Sequence, residues 1–160
     1  MVTVSPEFEA IYEDVMNVRT ETNFVAITPE GKNNFTVAAS GTGGYDELKQ
    51  LFEQNTDKVY FAALQITGID EQNSVKSERK KSLFIVYIGS DVSVMKRARV
   101  SVQSMQVRNQ FFGGIQLTVE ADLDTFTAEE ICGMLLRSGG AHKPKYYICG
   151  PSTTVQVEDL

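Results

Sequence analysis

Lys76, Arg79, Lys80, Lys81, Lys96, Arg97, Arg99 and Arg108 all fall within residues 76–108, against two acids, Glu78 and Asp91. That stretch carries +6. The other 127 residues hold seven basic and nineteen acidic groups, or −12. The whole chain has 15 Lys+Arg and 21 Asp+Glu, a formal net charge of −6. Ammonium and guanidinium groups gathered this densely can dock carboxylates or phosphates, and Arg can do so through two parallel hydrogen bonds. Positive charge segregated on an acidic body implies one basic face and an acidic partner.

A lone basic run commonly guards an edge strand against aggregation. Here there are two runs, Arg79-Lys80-Lys81 and Lys96-Arg97-x-Arg99, on either side of the apolar stretch Leu83–Ile88. If residues 95–100 return antiparallel beside that stretch, the runs fuse into one patch, with Arg108 on the following helix. Nucleic acid is a poor fit to it: the chain's pI is about 4.8, and no aromatics interleave the cations for base stacking. Anionic lipid fits poorly too, since no amphipathic helix offers a Trp/Phe/Leu face. An acidic protein surface is the partner this reasoning leaves.

Catalysis finds little support. The single histidine, His142, follows a Gly-Gly helix stop and is expected in solvent, whereas a general base sits in an oriented site. No Gly-x-Ser-x-Gly elbow occurs. Gly41–Gly44 precedes a helix but lacks the Lys-Ser/Thr of a phosphate loop. Asp122 and Asp124 do not form a calcium loop. Cys132 and Cys149, with one histidine, make neither a zinc site nor a disulfide framework. Cys132 is expected as a buried core thiol. No catalytic residue, metal or cofactor is expected, and a reducing cytoplasm suits the thiols.

The elements that must hold the cations follow from patterning. The 160 residues favour one domain, assigned to 1–142, with 143–160 expected as a flexible C-terminal tail. Ser5-Pro6-Glu7 signals a helix start, followed by Phe8, Ile11, Tyr12, Val15 and Met16 at helical spacing. Residues 23–28 and 35–39 read as a hairpin around Pro29–Asn33. A second helix carries Tyr45, Leu48, Leu51 and Phe52. Residues 58–66 and 82–88 are apolar without alternation, as in central strands covered on both faces, and Thr67–Lys80 between them reads as an exposed hairpin loop. Met95–Val100 reads as an edge strand, then Ser101–Phe112 as a helix with Val102, Met105 and Phe112 inward. Ile115, Leu117 and Val119 alternate as a half-buried strand. The box Thr127-x-x-Glu130 starts the last helix, with Ile131, Met134 and Leu135 inside. The fold class is therefore α+β, a mixed sheet between helices.

The block Arg79-Lys80-Lys81-Ser82-Leu83-Phe84-Ile85-Val86-Tyr87-Ile88-Gly89, followed by Val92-Ser93-Val94-Met95-Lys96-Arg97-Ala98-Arg99, resembles the coactosin family. Coactosins are actin-depolymerising-factor homology (ADF-H) domains. Gly41-x-x-Gly44-Tyr45-x-x-Leu48 and the helix end near Ser138-Gly139-Gly140-Ala141 are similar as well. The resemblance spans about residues 20–142. It implies a five- or six-stranded mixed sheet sandwiched between two pairs of helices, the ADF-H or gelsolin-like fold. It also implies a cytoplasmic, cytoskeletal, monomeric protein that binds the side of filamentous actin and modulates filament dynamics without catalysis.

Residue by residue, Lys81 falls where coactosins place a filament-contacting lysine. Arg97 and Arg99 match a basic pair preceding the family's actin-facing helix. Lys96, Arg108, Arg79 and Lys80 complete the expected actin-binding set. Apolar contact from Val92, Val94 or Met95 would back it. The N-terminal Met1–Pro6 does not match the Ser-Gly start of cofilins, so control by phosphorylation there is not expected. The alternative within the fold is a cofilin-like protein that also binds monomeric actin and depolymerises or severs filaments. Outside it, the alternative is a basic module for lipid or RNA.

Overall fold

Two fourteen-residue strands, β4 (Val59–Gln72) and β5 (Val75–Ile88), form the spine of the computed structural model, which describes residues 2–115, 117–139 and 143–160. They pair antiparallel in unbroken register from Val59↔Ile88 to Gln72↔Val75. Their turn is only Asn73-Ser74, with φ of 51° and 70°. Successive left-handed residues make the tight turn whose twist matches a hairpin. The loop expected over Thr67–Lys80 is therefore almost all strand. Polar residues pair as well as apolar ones where a ribbon runs out into solvent.

The inner half of the spine is buried on both faces, as its unalternating apolar run implies. Tyr60, Ala62, Leu64, Leu83, Ile85 and Tyr87 join one cluster; Phe61, Ala63, Phe84 and Val86 join the other. Helices α2 (Gly44–Glu53) and α4 (Ala128–Ser138) cover the first face. Leu48 and Phe52 of α2 are fully buried, each contributing roughly 1.5–3 kcal/mol. Helices α1 (Phe8–Met16) and α3 (Val94–Phe111) cover the second. Phe112 just past α3 closes that layer, packing edge-on to Phe8 at 5.3 Å between ring centroids and against Phe84 at 4.9 Å.

The sheet order is β1-β3-β2-β4-β5-β6, a six-stranded mixed path, with β7 attached to β4 and β8 to β7. Strands β2 (Phe24–Pro29) and β3 (Asn34–Gly41) form the expected hairpin. The short β1 (Thr3–Val4) adds parallel to β3. That pairing draws Ser5 to the sheet edge, where its Oγ accepts the Val37 N–H at 3.0 Å. Ser5 therefore does not cap α1, which starts a few residues later at Phe8.

Three expectations are corrected. Met95–Val100 is not an edge strand but the first turns of α3. Ser93 has extended dihedrals and its side chain accepts the Lys96 N–H at 3.3 Å, which starts a helix. Val102 and Met105 are exposed, and Val100 and Val107, seven residues apart, are the inward ones. These two and the half-buried Phe111 at its end anchor the helix, so neither alternation nor a full apolar stripe announced it. Finally, residues 143–160 are not a loose tail. They form β7 (Tyr146–Gly150), β8 (Thr153–Gln156) and a 3-10 turn at 157–159. Strand β7 pairs with Thr67–Ile69 of β4, and Tyr147, Cys149 and Val155 are buried. The half of β4 that extends past β2 would otherwise be an open edge, and β7 closes it.

Strand β6 (Leu117–Ala121) runs parallel to β5. Its exit is fixed by the Asp122–Thr125 turn, whose side chains and backbones bond each other. There, hydrogen bonds from Thr125 hold the Asp122 carboxyl below the usual carboxylate range. Thr127 then caps α4 by accepting the Glu130 N–H at 3.2 Å. Gly139 follows α4 as its cap, while Gly140 and His142, on which further expectations rested, lie outside the described residues.

Candidate functional site

Helix α3 carries no acidic residue and four cations, Lys96, Arg97, Arg99 and Arg108. With Val100 and Val107 facing the sheet, a 3.6-residue period turns Val94, Met95, Ala98, Val102 and Met105 outward. Val94 is 83% exposed, Met95 68%, Val102 62% and Met105 67%, and Ala98 is also exposed. A solvated helix normally turns charge outward. This one presents an apolar stripe, with its cations along the two margins.

On one margin, Arg97 donates from Nη2 to the Gly89 carbonyl at 3.0 Å, and Arg108 donates to the Ile115 carbonyl at 2.9 Å. Gly89 must be glycine: a Cβ there would lie 2.0 Å from the Thr56 carbonyl oxygen. The loop crossing packs directly on the backbone, and Arg97 clamps the same point. On the other margin, Lys96 and Arg99 face the β2–β3 turn across a cleft of about 300 Å³, with Gly31, Asp57 and Lys58 in its walls. Lys32 extends that cationic lining outward.

Arg79, Lys80 and Lys81 lie elsewhere. On β5, side chains alternate between faces. Lys80 falls on the α1/α3 face, and its Nζ donates to the carbonyls of Val18 at 2.7 Å and Thr20 at 3.3 Å. Arg79 and Lys81 fall on the opposite face. They border a depression shared with Leu135, Gly139, Pro144 and Tyr147. Seven residues of strand separate Lys81 from Ile88, about 23 Å at the usual rise. The single patch expected from the two basic runs is therefore two zones. Arg79 and Lys81 lie on the far face near the middle of β5, Lys96, Arg97 and Arg99 lie on α3 near the Ile88 end, and Lys80 and Arg108 fall on the α3 face between them. The fusion assumed that 95–100 was a strand. As a helix, that segment crosses the sheet face instead of pairing alongside β5.

The apolar stripe is the feature that sequence reading missed. Of the residues suggested as apolar backing, Val94 and Met95 belong to it, but Val92 is buried. The signal was present in Val94, Ala98, Val102 and Met105 at helical spacing after the Ser93 cap. The basic run obscured it by reading as an alternating edge. Among the described residues no group of three or more His, Cys, Asp or Glu could hold a metal ion. No described helix is long and apolar enough to cross a membrane.

A mixed sheet between two helix pairs, with one long outward-facing helix, defines the architecture of the cofilin-like domains. The chain matches the Cofilin/tropomyosin-type actin-binding protein family over residues 1–132. It belongs to that family, as a coactosin-like member. It is 31% identical to a coactosin of Dictyostelium discoideum over 138 residues, which cover 86% of this chain and 90% of the relative. Its fold is similar to the crystal structure of coactosin from Entamoeba histolytica, with a TM-score of 0.72, 24% identity, and 88% and 98% of the two chains covered. It is also similar to the solution structure of mouse coactosin, with a TM-score of 0.63, 22% identity, and 88% and 94% covered.

Proposed function

We propose that the protein binds the side of filamentous actin and modulates filament dynamics as a cytoplasmic, monomeric, non-catalytic factor. The observation that carries this reading is the outer face of α3. An acid-free helix exposing Val94, Met95, Val102 and Met105 between cationic margins is built to lie in an apolar groove with acidic rims. Family membership supplies actin as that partner, and the mouse coactosin whose fold it shares is an actin filament binding protein. Lys96 and Arg99 pair with carboxylates at the groove's rim, while Arg97 and Arg108 hold the helix in place and add to the field. Arg79 and Lys81 form a second contact, while Lys80 on the other face is held by the Val18 and Thr20 carbonyls and adds to the field.

Co-sedimentation with actin filaments tests the reading. Val102→Glu and Met105→Glu together place two acids in the stripe and cut binding at least tenfold, with the melting temperature unchanged. Both sites are exposed, so folding is affected by less than about 0.5 kcal/mol. Undiminished pelleting of that variant would reject the α3 face. A pyrene-actin assay run beside it separates this side-binder from a depolymerising one, since only the latter accelerates loss of polymer.

A further inference from the structure

Cys132 and Cys149 are seventeen positions apart in sequence, on α4 and β7, yet their Sγ atoms face each other at 3.3 Å. Both are free thiols, Cys132 fully buried and Cys149 1% exposed. Each is held there by its own element. Cys132 sits in the inner stripe of α4 beside Ile131 and Leu135. Cys149 lies in β7 next to Gly150, and its carbonyl oxygen comes within 2.6 Å of where a Cβ on Gly44 would stand. A small side-chain rotation brings the sulfurs to the bonding distance of about 2.05 Å. Reading 143–160 as a loose tail concealed the pair, because nothing in the sequence then brings Cys149 to α4.

We infer that Cys132 and Cys149 are a dithiol modification site, which a peroxide-class oxidant closes to an intramolecular disulfide joining the C-terminal hairpin to α4. One thiolate attacks the peroxide: an S–O bond forms, the O–O bond breaks, and hydroxide leaves to be protonated to water. The other thiolate then attacks the resulting sulfenic sulfur. The S–S bond forms and a second hydroxide leaves as water. Two thiols lose two electrons in total and one hydrogen peroxide becomes two waters.

The structure also sets the pace of this reaction. The Cys149 contact and burial push the Cys132 thiol up, away from the reactive thiolate. Attack therefore waits for the β7–β8 hairpin to open from β4 and α2, where three ladder pairs and the Asp46 bonds hold it. The disulfide is slow to form and, once formed, shielded. It braces the wall made by Leu135 and Tyr147 beside Arg79 and Lys81.

The test treats the full chain with hydrogen peroxide, then measures intact mass, a non-reducing peptide map and thermal unfolding. Expected are a loss of about 2 Da for the two thiol hydrogens and a peptide joining Cys132 to Cys149. Closing a loop of this length should also raise the melting temperature by roughly 5–10 °C, reversed by dithiothreitol. Cys149→Ser abolishes all three while keeping the melting temperature of the reduced protein. If that variant fails to fold, the mass and map of the unaltered chain decide. Thiols that remain free, oxygen adducts at either cysteine, or disulfide-linked dimers would overturn the inference.

Discussion

The carboxylate of Asp46, in the first turn of α2, accepts the backbone N–H of Ser152 at 2.7 Å. Its other oxygen accepts the hydroxyl of Thr153. One side chain thus ties α2 to the β7–β8 hairpin more than a hundred residues later. Gly44 allows the approach: its φ is +52°, and a Cβ there would meet the Cys149 carbonyl oxygen.

Asp46→Ala removes both bonds. Surface exposure tempers the loss, and about 1 kcal/mol of stability should go. Urea unfolding measures it as a lower midpoint with an unchanged slope. Hydrogen exchange should locate the added opening at residues 146–156, because β7 has only three pairs with β4 to fall back on. A midpoint equal to that of the unaltered chain would mean the hairpin is held by its β4 pairing and by Tyr147 and Val155 packing, without help from Asp46.

Charge reversal separates the two cationic zones. Lys96→Glu with Arg99→Glu, and Arg79→Glu with Lys81→Glu, should each weaken filament pelleting, and the four together should weaken it more than either pair. Single exposed ion pairs contribute about 0–1 kcal/mol, so each double variant is expected to lose several-fold, not all, of its affinity. Raising salt to physiological strength shortens screening to about 8 Å and should weaken the unaltered chain more than the quadruple variant. Equal salt dependence in both would show that the zones do not steer binding.

Alkaline stability depends on Tyr12. Its hydroxyl donates to the Gly113 carbonyl at 2.6 Å, and burial pushes it from its ordinary 10.0 up to about 12. The folded state therefore holds this proton more tightly than the unfolded state. The contribution is full below pH 10 and is lost as pH rises from 10 through 12. Burial also raises Tyr45, Tyr60, Tyr87 and Tyr147, so part of the alkaline slope survives in Tyr12→Phe. Thermal unfolding across pH 8–12 should show the variant falling less steeply above pH 10. Parallel curves would remove Tyr12 from the account.

How far the sequence disclosed this molecule depends on what each signal was made of. Central strands were legible because Val59–Leu64 and Leu83–Ile88 bury both faces and leave no polar alternation. Helix α4 was legible from its Thr127 cap. Helix α3 was not, since Val100 and Val107 are its only buried positions, with Phe111 half-buried at its end, while its outward side is apolar, the reverse of the usual pattern. The C-terminal hairpin was not, because its reason for folding is the bare edge of β4, a partner 80 residues earlier. The cations themselves were found, but their grouping depended on the secondary structure of 95–100, and that error set Lys81 beside Arg97.

The β4–β5 ribbon, pinned by a two-residue turn and paired without a slip over its whole length, is a rigid mount for Arg79 and Lys81. It cannot stretch without breaking ladder bonds, so the two side chains keep their spacing and their face whatever the rest of the surface does.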